Sequence, residues 1–187
     1  MTVLFTGAGR EIHLDGRDNG RSIHPLDLAR GLSRMPRWSG HSLRLYTVAE
    51  HSIAVADLLE SWCEPPPVQL EGLLHDATET YIGDLSSPAK RLCPGYQRLE
   101  AMLDGQIRRR FGLPADLSPA VLRADQVMLL SEARALMPAH PWVEERMAGW
   151  GITERDLVPV DRHTPHGIDW RDRWLRHFLG LWEASTA

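Results

Sequence analysis

The chain has 187 residues, 43% of them hydrophobic and 25% charged, with a net charge of -4 at pH 7 when histidines are neutral. That length accommodates one domain with a normal core, and the negative balance excludes any whole-chain attraction to nucleic acid polymers or anionic membranes. No apolar run approaches the roughly 18 to 20 residues that span a bilayer, no N-terminal stretch has a signal-peptide layout, and Cys63 and Cys93 lack paired-ligand spacing, which together point to a cytoplasmic protein with reduced thiols.

Val3-Leu4-Phe5 and Glu11-Ile12-His13-Leu14 flank a Gly-containing turn and predict a short N-terminal hairpin. Everything after it reads as helical. Pro25 suits a first helical position, and Leu26, Ala29 and Leu32 share a face, so about two turns start there and stop before Pro36. An exposed loop from Pro36 to Tyr46 is expected next. Thr47-Val48-Ala49-Glu50 is a capping-box signature, and the helix it opens runs to about Trp62 with Val48, Ser52, Val55, Leu58, Leu59 and Trp62 inward and His51 on the same stripe. After Pro65-Pro66-Pro67 a central helix is predicted to carry Leu70, Leu73, Leu74, Ala77 and Tyr81 on one face and Gly72, His75, Asp76 and Glu79 on the next. Gly83 to Pro88 breaks it, and a more polar helix spans Tyr96 to Phe111. Ser118-Pro119 opens another, whose buried face is Val121, Met128, Leu129 and Leu136, joined by Asp125 and Glu132. Pro138 to His166 has weak periodicity and reads as an irregular connection. A last helix, about Asp169 to Ala184, presents Trp170, Trp174, Phe178, Leu181 and Trp182 and closes the core.

An imidazole and a carboxylate placed side by side in an apolar run are expensive unless something binds them. A divalent transition metal takes imidazole nitrogen and carboxylate oxygen from rigid elements, and His51, His75, Asp76 and Asp125 are such groups, turned inward from three predicted helices. Adjacent helical residues diverge by about 100°, so His75 and Asp76 can share an ion only over the groove between them. A single inward histidine reads sooner as a core residue bonded to a carbonyl; four coincident groups favour the metal.

In these residues the chain resembles the HD superfamily of metal-dependent phosphohydrolases, whose pattern is a His, a His-Asp doublet and a distant Asp. VAEHS at 48–52, HDATE at 75–79, GDLSSPAK at 83–90 and the Asp125 to Glu132 segment look like the bacterial 5'-deoxynucleotidases and their short phage-type relatives, over about residues 24–137. The resemblance implies an all-α, HD-domain helical bundle behind the hairpin. It implies that His51, His75, Asp76 and Asp125 hold a divalent transition metal (cobalt, manganese, zinc, nickel or iron), with room for a second, magnesium-type ion arriving with substrate, and that the chain forms a homo-oligomer. Asp76 and Glu79 are then the catalytic acids, Glu79 handling protons. Asp84, Leu85, Ser86 and Ser87 match the family segment that contacts sugar and phosphate, with helix capping as the other role open to the two serines.

Arg37-Trp38 matches an Arg-aromatic pair that orients phosphate and base, its spacing to His51 shifted by one residue. Guanidinium is a planar phosphate fork and indole a stacking surface, although Trp38 also suits ordinary core packing. His41 and Lys90 are further candidates beside the phosphate, weighed against solvated or structural roles. The expected activity is hydrolysis of a deoxynucleoside 5'-monophosphate. Removal of tripolyphosphate from a dNTP and a non-catalytic nucleotide- or metal-binding module are the alternatives.

Overall fold

The structure is a computed structural model that describes residues 2–163 and 167–186. It is mostly helical, with one two-stranded antiparallel hairpin at the N-terminus. In the hairpin, β1 (Val3–Phe5) pairs with β2 (Glu11–His13) in the register Leu4 opposite Ile12, and Ile12 is the strand residue that enters the core. Leu14, expected in the second strand, follows it.

The helices are α1 (Pro25–Leu32), α2 (Val48–Ser61), α3 (Pro66–Leu74), α4 (Glu79–Ile82), α5 (Ser87–Leu92), α6 (Pro94–Arg110), α7 (Pro119–Leu136), α8 (Pro141–Trp150) and α9 (Trp170–Thr186). Proline stands at the first helical turn of α1, α3, α5, α6, α7 and α8, where its missing N–H is no loss. Helix α2 packs against α3, α7 and α9, and α3 packs in turn against α9 and α7, so these two helices are the frame on which the rest is laid. Gly72 makes their approach close: a Cβ there would run into Leu59 and Val55 of α2.

The apolar interior has two parts. Ile12, Leu28, Leu32, Val48, Ile53, Leu73, Leu103, Ile107, Trp174 and Phe178 belong to the first, and Val55, Leu58 and Leu59 of α2 join Val121, Val127, Leu130, Val143 and Met147 in the second. As expected, α9 closes the first part. Trp174 and Phe178 are stacked at 5.7 Å, Phe178 and Trp182 at 6.0 Å, and Phe111 meets Phe178 edge-on. No helix among the described residues is long and apolar enough to cross a membrane.

The structure corrects several expected elements. The single helix predicted through His75 and Asp76 is two, α3 and α4, with residues 75–78 forming a turn between them. A short helix, α5, occupies part of the predicted break. It buries no residue and so leaves no periodic trace. Helix α6 starts two residues earlier than expected, at Pro94. The supposed irregular connection contains α8, whose two buried positions, Val143 and Met147, are too few to set a period. The end of that connection, 164–166, lies outside the described residues. On α7, Leu130 and not Leu129 is buried, and Trp62, expected inward, ends α2 with 40% of its surface exposed.

Candidate metal centre

The start of α2 is set by its capping box: the Thr47 hydroxyl accepts from the Glu50 N–H at 3.2 Å, and the Glu50 carboxylate accepts from the Thr47 N–H at 3.1 Å. This places His51 at the fourth helical position, with no exposed surface. Its Nδ1 lies 2.6 Å from Glu132 Oε1 of α7. Its Nε2 faces His75 Nε2 at 3.2 Å, Asp125 Oδ1 at 3.1 Å and Asp76 Oδ2 at 3.7 Å.

His75 sits where α3 stops, and its side chain accounts for the stop. The Gly72 carbonyl, which in a continuing helix would take the Asp76 N–H, instead accepts from the His75 imidazole Nδ1 at 2.7 Å. From there the backbone tightens to i→i+3 bonds, Ala77 N–H to Leu74 O and Glu79 N–H to Asp76 O. His75 Nε2 lies 3.2 Å from Asp76 Oδ2 and 3.7 Å from Asp125 Oδ1.

Of the four predicted donors, His51, His75 and Asp125 therefore converge, and Asp76 Oδ2 adjoins the two histidines without belonging to that tightest set. With metal-ligand bonds of about 2.0 to 2.2 Å, neighbouring donors of a tetrahedral or octahedral ion stand roughly 3 to 3.6 Å apart. The separations here, 3.1 to 3.7 Å, are of that size. The atoms also suit a cation chemically. Each histidine spends its Nδ1–H on an acceptor, which leaves two Nε2 lone pairs and two carboxylates facing one another. His51, His75 and Asp125 are close enough together to hold a metal ion. Without one, burial works against the charged imidazole, but Asp76 and Asp125 outweigh it and hold His75 protonated well above its usual range. Burial raises the Asp125 carboxyl, yet its contacts with both histidines bring it well below the ordinary value. Solvent reaches the cluster past Asp76 and Asp125, whose side chains are 22% and 33% exposed.

Glu79 opens α4, is 3% exposed, and leaves Oε2 without a partner. Burial, then the nearby charges of Asp76 and Asp84, push its carboxyl well above the ordinary carboxylate range. Lys90 Nζ stands 3.9 Å from Glu79 Oε1 and bonds Glu100 Oε1 at 2.6 Å. Asp84 and Leu85 are half-buried; burial raises the Asp84 carboxyl while Arg37 partly offsets it. Ser86 and Ser87 are exposed, and Ser86, which precedes α5, makes no side-chain cap.

The expected exposed loop after Pro36 is more structured than predicted, and Arg37 is not exposed. Arg37 N–H bonds Tyr46 O at 2.8 Å, Pro36 bridges to Thr47, and residues 37–40 form a tight turn in which Trp38, Ser39 and Gly40 all have positive φ. The guanidinium of Arg37 is buried, with Nε 3.1 Å from Glu132 Oε2 and Nη1 3.3 Å from Asp76 Oδ2. Trp38 packs against the second part of the core, edge-on to Trp142 at 6.4 Å. His41 is exposed and makes no side-chain hydrogen bond among the described residues.

Sequence reasoning put Glu132 on the inward face and gave it no part in the site. An acid two turns from Asp125 on a buried stripe carries the same desolvation cost that singled out the doublet, and that cost was the available signal. Glu100, which holds Lys90, left no such signal, since α6 is polar there.

No family model matches the chain. Over 143 residues it is 34% identical to an uncharacterized protein of Rhodobacter capsulatus, an alignment covering 71% of this chain and 66% of that one. Over 136 residues it is 38% identical to the uncharacterized protein YfdR of Escherichia coli strain K12, covering 73% of each chain. With that identity across nearly three quarters of both sequences, the chain belongs to the YfdR family.

Proposed function

We propose that this protein is an HD-type, divalent-metal-dependent phosphohydrolase that converts deoxynucleoside 5'-monophosphates to the nucleoside and phosphate. The observation that carries the reading is the pair of imidazole Nε2 atoms 3.2 Å apart, both freed by Nδ1 partners and both facing carboxylates, beside a buried acid with an unpartnered oxygen. The ordered motifs around residues 48–52, 75–79 and 83–90 supply the phosphohydrolase class by resemblance.

His51, His75, Asp76 and Asp125 would hold the metal, which when bound supplies Lewis-acid polarisation of a phosphoryl oxygen and acidifies a water. Glu79 provides the proton. As water forms its bond to phosphorus and the bond from phosphorus to the 5'-oxygen breaks, the leaving oxygen takes the Glu79 proton, and water restores it. Burial and the charges of Asp76 and Asp84 hold that carboxyl well above the ordinary range, which favours its proton-carrying form. Asp84, within electrostatic reach of Arg37 and Asp76, is placed by resemblance beside the sugar. Both cations at the centre, Arg37 and Lys90, are already paired with carboxylates, which favours a monophosphate over a triphosphate.

The test is phosphate release across nucleoside mono- and triphosphates with cobalt, manganese, zinc and magnesium, product chain length being read by chromatography. The reading expects orthophosphate from deoxynucleoside monophosphates. Tripolyphosphate from dNTPs would replace the substrate class, and no release with any metal would contradict hydrolysis.

A further inference from the structure

Two buried groups, Glu132 and Arg37, touch the metal ligands without being among them. Glu132 has no exposed surface and uses both oxygens: Oε1 takes the His51 Nδ1–H at 2.6 Å and Oε2 takes the Arg37 Nε–H at 3.1 Å. Arg37 continues the chain of contacts to Asp76 Oδ2 at 3.3 Å, and that oxygen faces both histidine Nε2 atoms. The contacts form a closed ring through α2, α7, the 37–40 turn and the turn between α3 and α4.

We propose that Glu132 and Arg37 are positioning residues of the metal centre: Glu132 holds His51 in the tautomer that frees Nε2, and Arg37 fixes Glu132 and Asp76 together. Arg37 thus acts on the metal ligands and not as a free phosphate fork. Three observations carry this. Its Nε and Nη1 are committed to carboxylates, which a fork reserved for substrate would not be. Its place depends on left-handed backbone at Trp38 and Ser39 (φ 57° and 50°), a conformation that side chains rarely adopt and that persists only where neighbouring contacts over-determine it. Finally, three carboxylates (Asp76, Asp125, Glu132) against one guanidinium leave two negative charges when the histidines are neutral, the complement of one divalent cation.

The test is a cobalt(II) competition titration on metal-stripped protein, with the visible cobalt spectrum as the signature of ligand arrangement, in wild type, Glu132→Gln, Arg37→Met and the double variant. Glutamine keeps the shape of Glu132, but its single carbonyl can serve either His51 or Arg37, leaving a donor facing a donor at the other. Each single variant is expected to weaken cobalt binding about 10- to 100-fold and to shift the spectrum. The double variant should lose less than the product of the two single losses, because both residues belong to one ring of contacts. Should Arg37→Met fail to fold, Arg37→Lys serves: it keeps the charge, cannot span both carboxylates, and should show an intermediate loss. Cobalt affinity within about threefold of wild type in Glu132→Gln, or losses that multiply in the double variant, would overturn the proposal. So would an Arg37 variant that raises KM for a phosphate substrate and leaves cobalt binding unchanged. The inference rests on the metal reading alone: wild type that takes up no cobalt overturns both, whereas equal binding by wild type and variants overturns only the positioning roles.

Discussion

Asp76 and Glu79 are carboxylates three residues apart whose surroundings drive them in opposite directions. Burial raises both, but His75, His51 and Arg37 bring Asp76 below the ordinary range, while Glu79 sees mainly Asp76 and Asp84 and goes well above it. A pair of acids separated in this way is the arrangement that divides charge-holding from proton-carrying work. Glu79→Gln keeps the shape and loses the proton, so turnover should fall roughly 100-fold or more while metal affinity stays within about tenfold. Unchanged turnover would remove Glu79 from the chemistry. The same variant carries a stability test. Folded Glu79 holds a proton that the unfolded chain releases near pH 4.5, so metal-free wild type loses stability as pH rises from that value through the raised one. Denaturant melts of chelated protein should show Glu79→Gln more stable than wild type by about 1 to 3 kcal/mol at pH 8 and nearly equal at pH 5. An equal difference at both pH values would contradict this account of Glu79.

At the scale of elements, what was legible in the sequence is what local chemistry writes there. The capping box at Thr47 and Glu50, the proline starts of α1, α3 and α7 and the aromatic stripe of α9 were all readable, and each forms where expected within a residue or two. The break after Leu74 was not, because its cause is a bond between the His75 ring and the Gly72 carbonyl that no propensity encodes. The burial of Arg37 was hidden likewise, since its carboxylate partners stand 39 and 95 residues away. Helix α8 had signals in Pro141 and Gly151, yet two buried positions were too few to outweigh the surrounding polar residues. Gly72 gives the element-scale test. A methyl group there meets Leu59 and Val55, so Gly72→Ala should destabilise by about 1 to 3 kcal/mol and also weaken metal binding, because it forces apart the helices bearing His51 and His75. A stability loss with unchanged metal affinity would mean that the α2–α3 spacing does not set the centre.

For the whole molecule, the metal centre hangs on helices whose cores are completed far along the chain. Trp174 has no exposed surface and lies in the first part of the core, on a helix, α9, that packs on α1, α2 and α3, so Trp174→Ala should cost about 3 to 5 kcal/mol in urea unfolding, with a loss under 1 kcal/mol arguing that α9 is an appendage. A ligand that binds only the folded chain stabilises it by mass action, so chelation should lower the melting temperature of wild type and leave Asp125→Ala unmoved. Both effects depend on the claim that two histidines and two carboxylates, drawn from three segments of the chain, converge on one cation. Elemental analysis of the purified protein beside Asp125→Ala, each reconstituted and then dialysed, tests that claim most directly. About one transition-metal ion per chain is expected in wild type, falling at least roughly tenfold in the variant with helix content unchanged. Stoichiometric metal in Asp125→Ala, or none in reconstituted wild type, would contradict it.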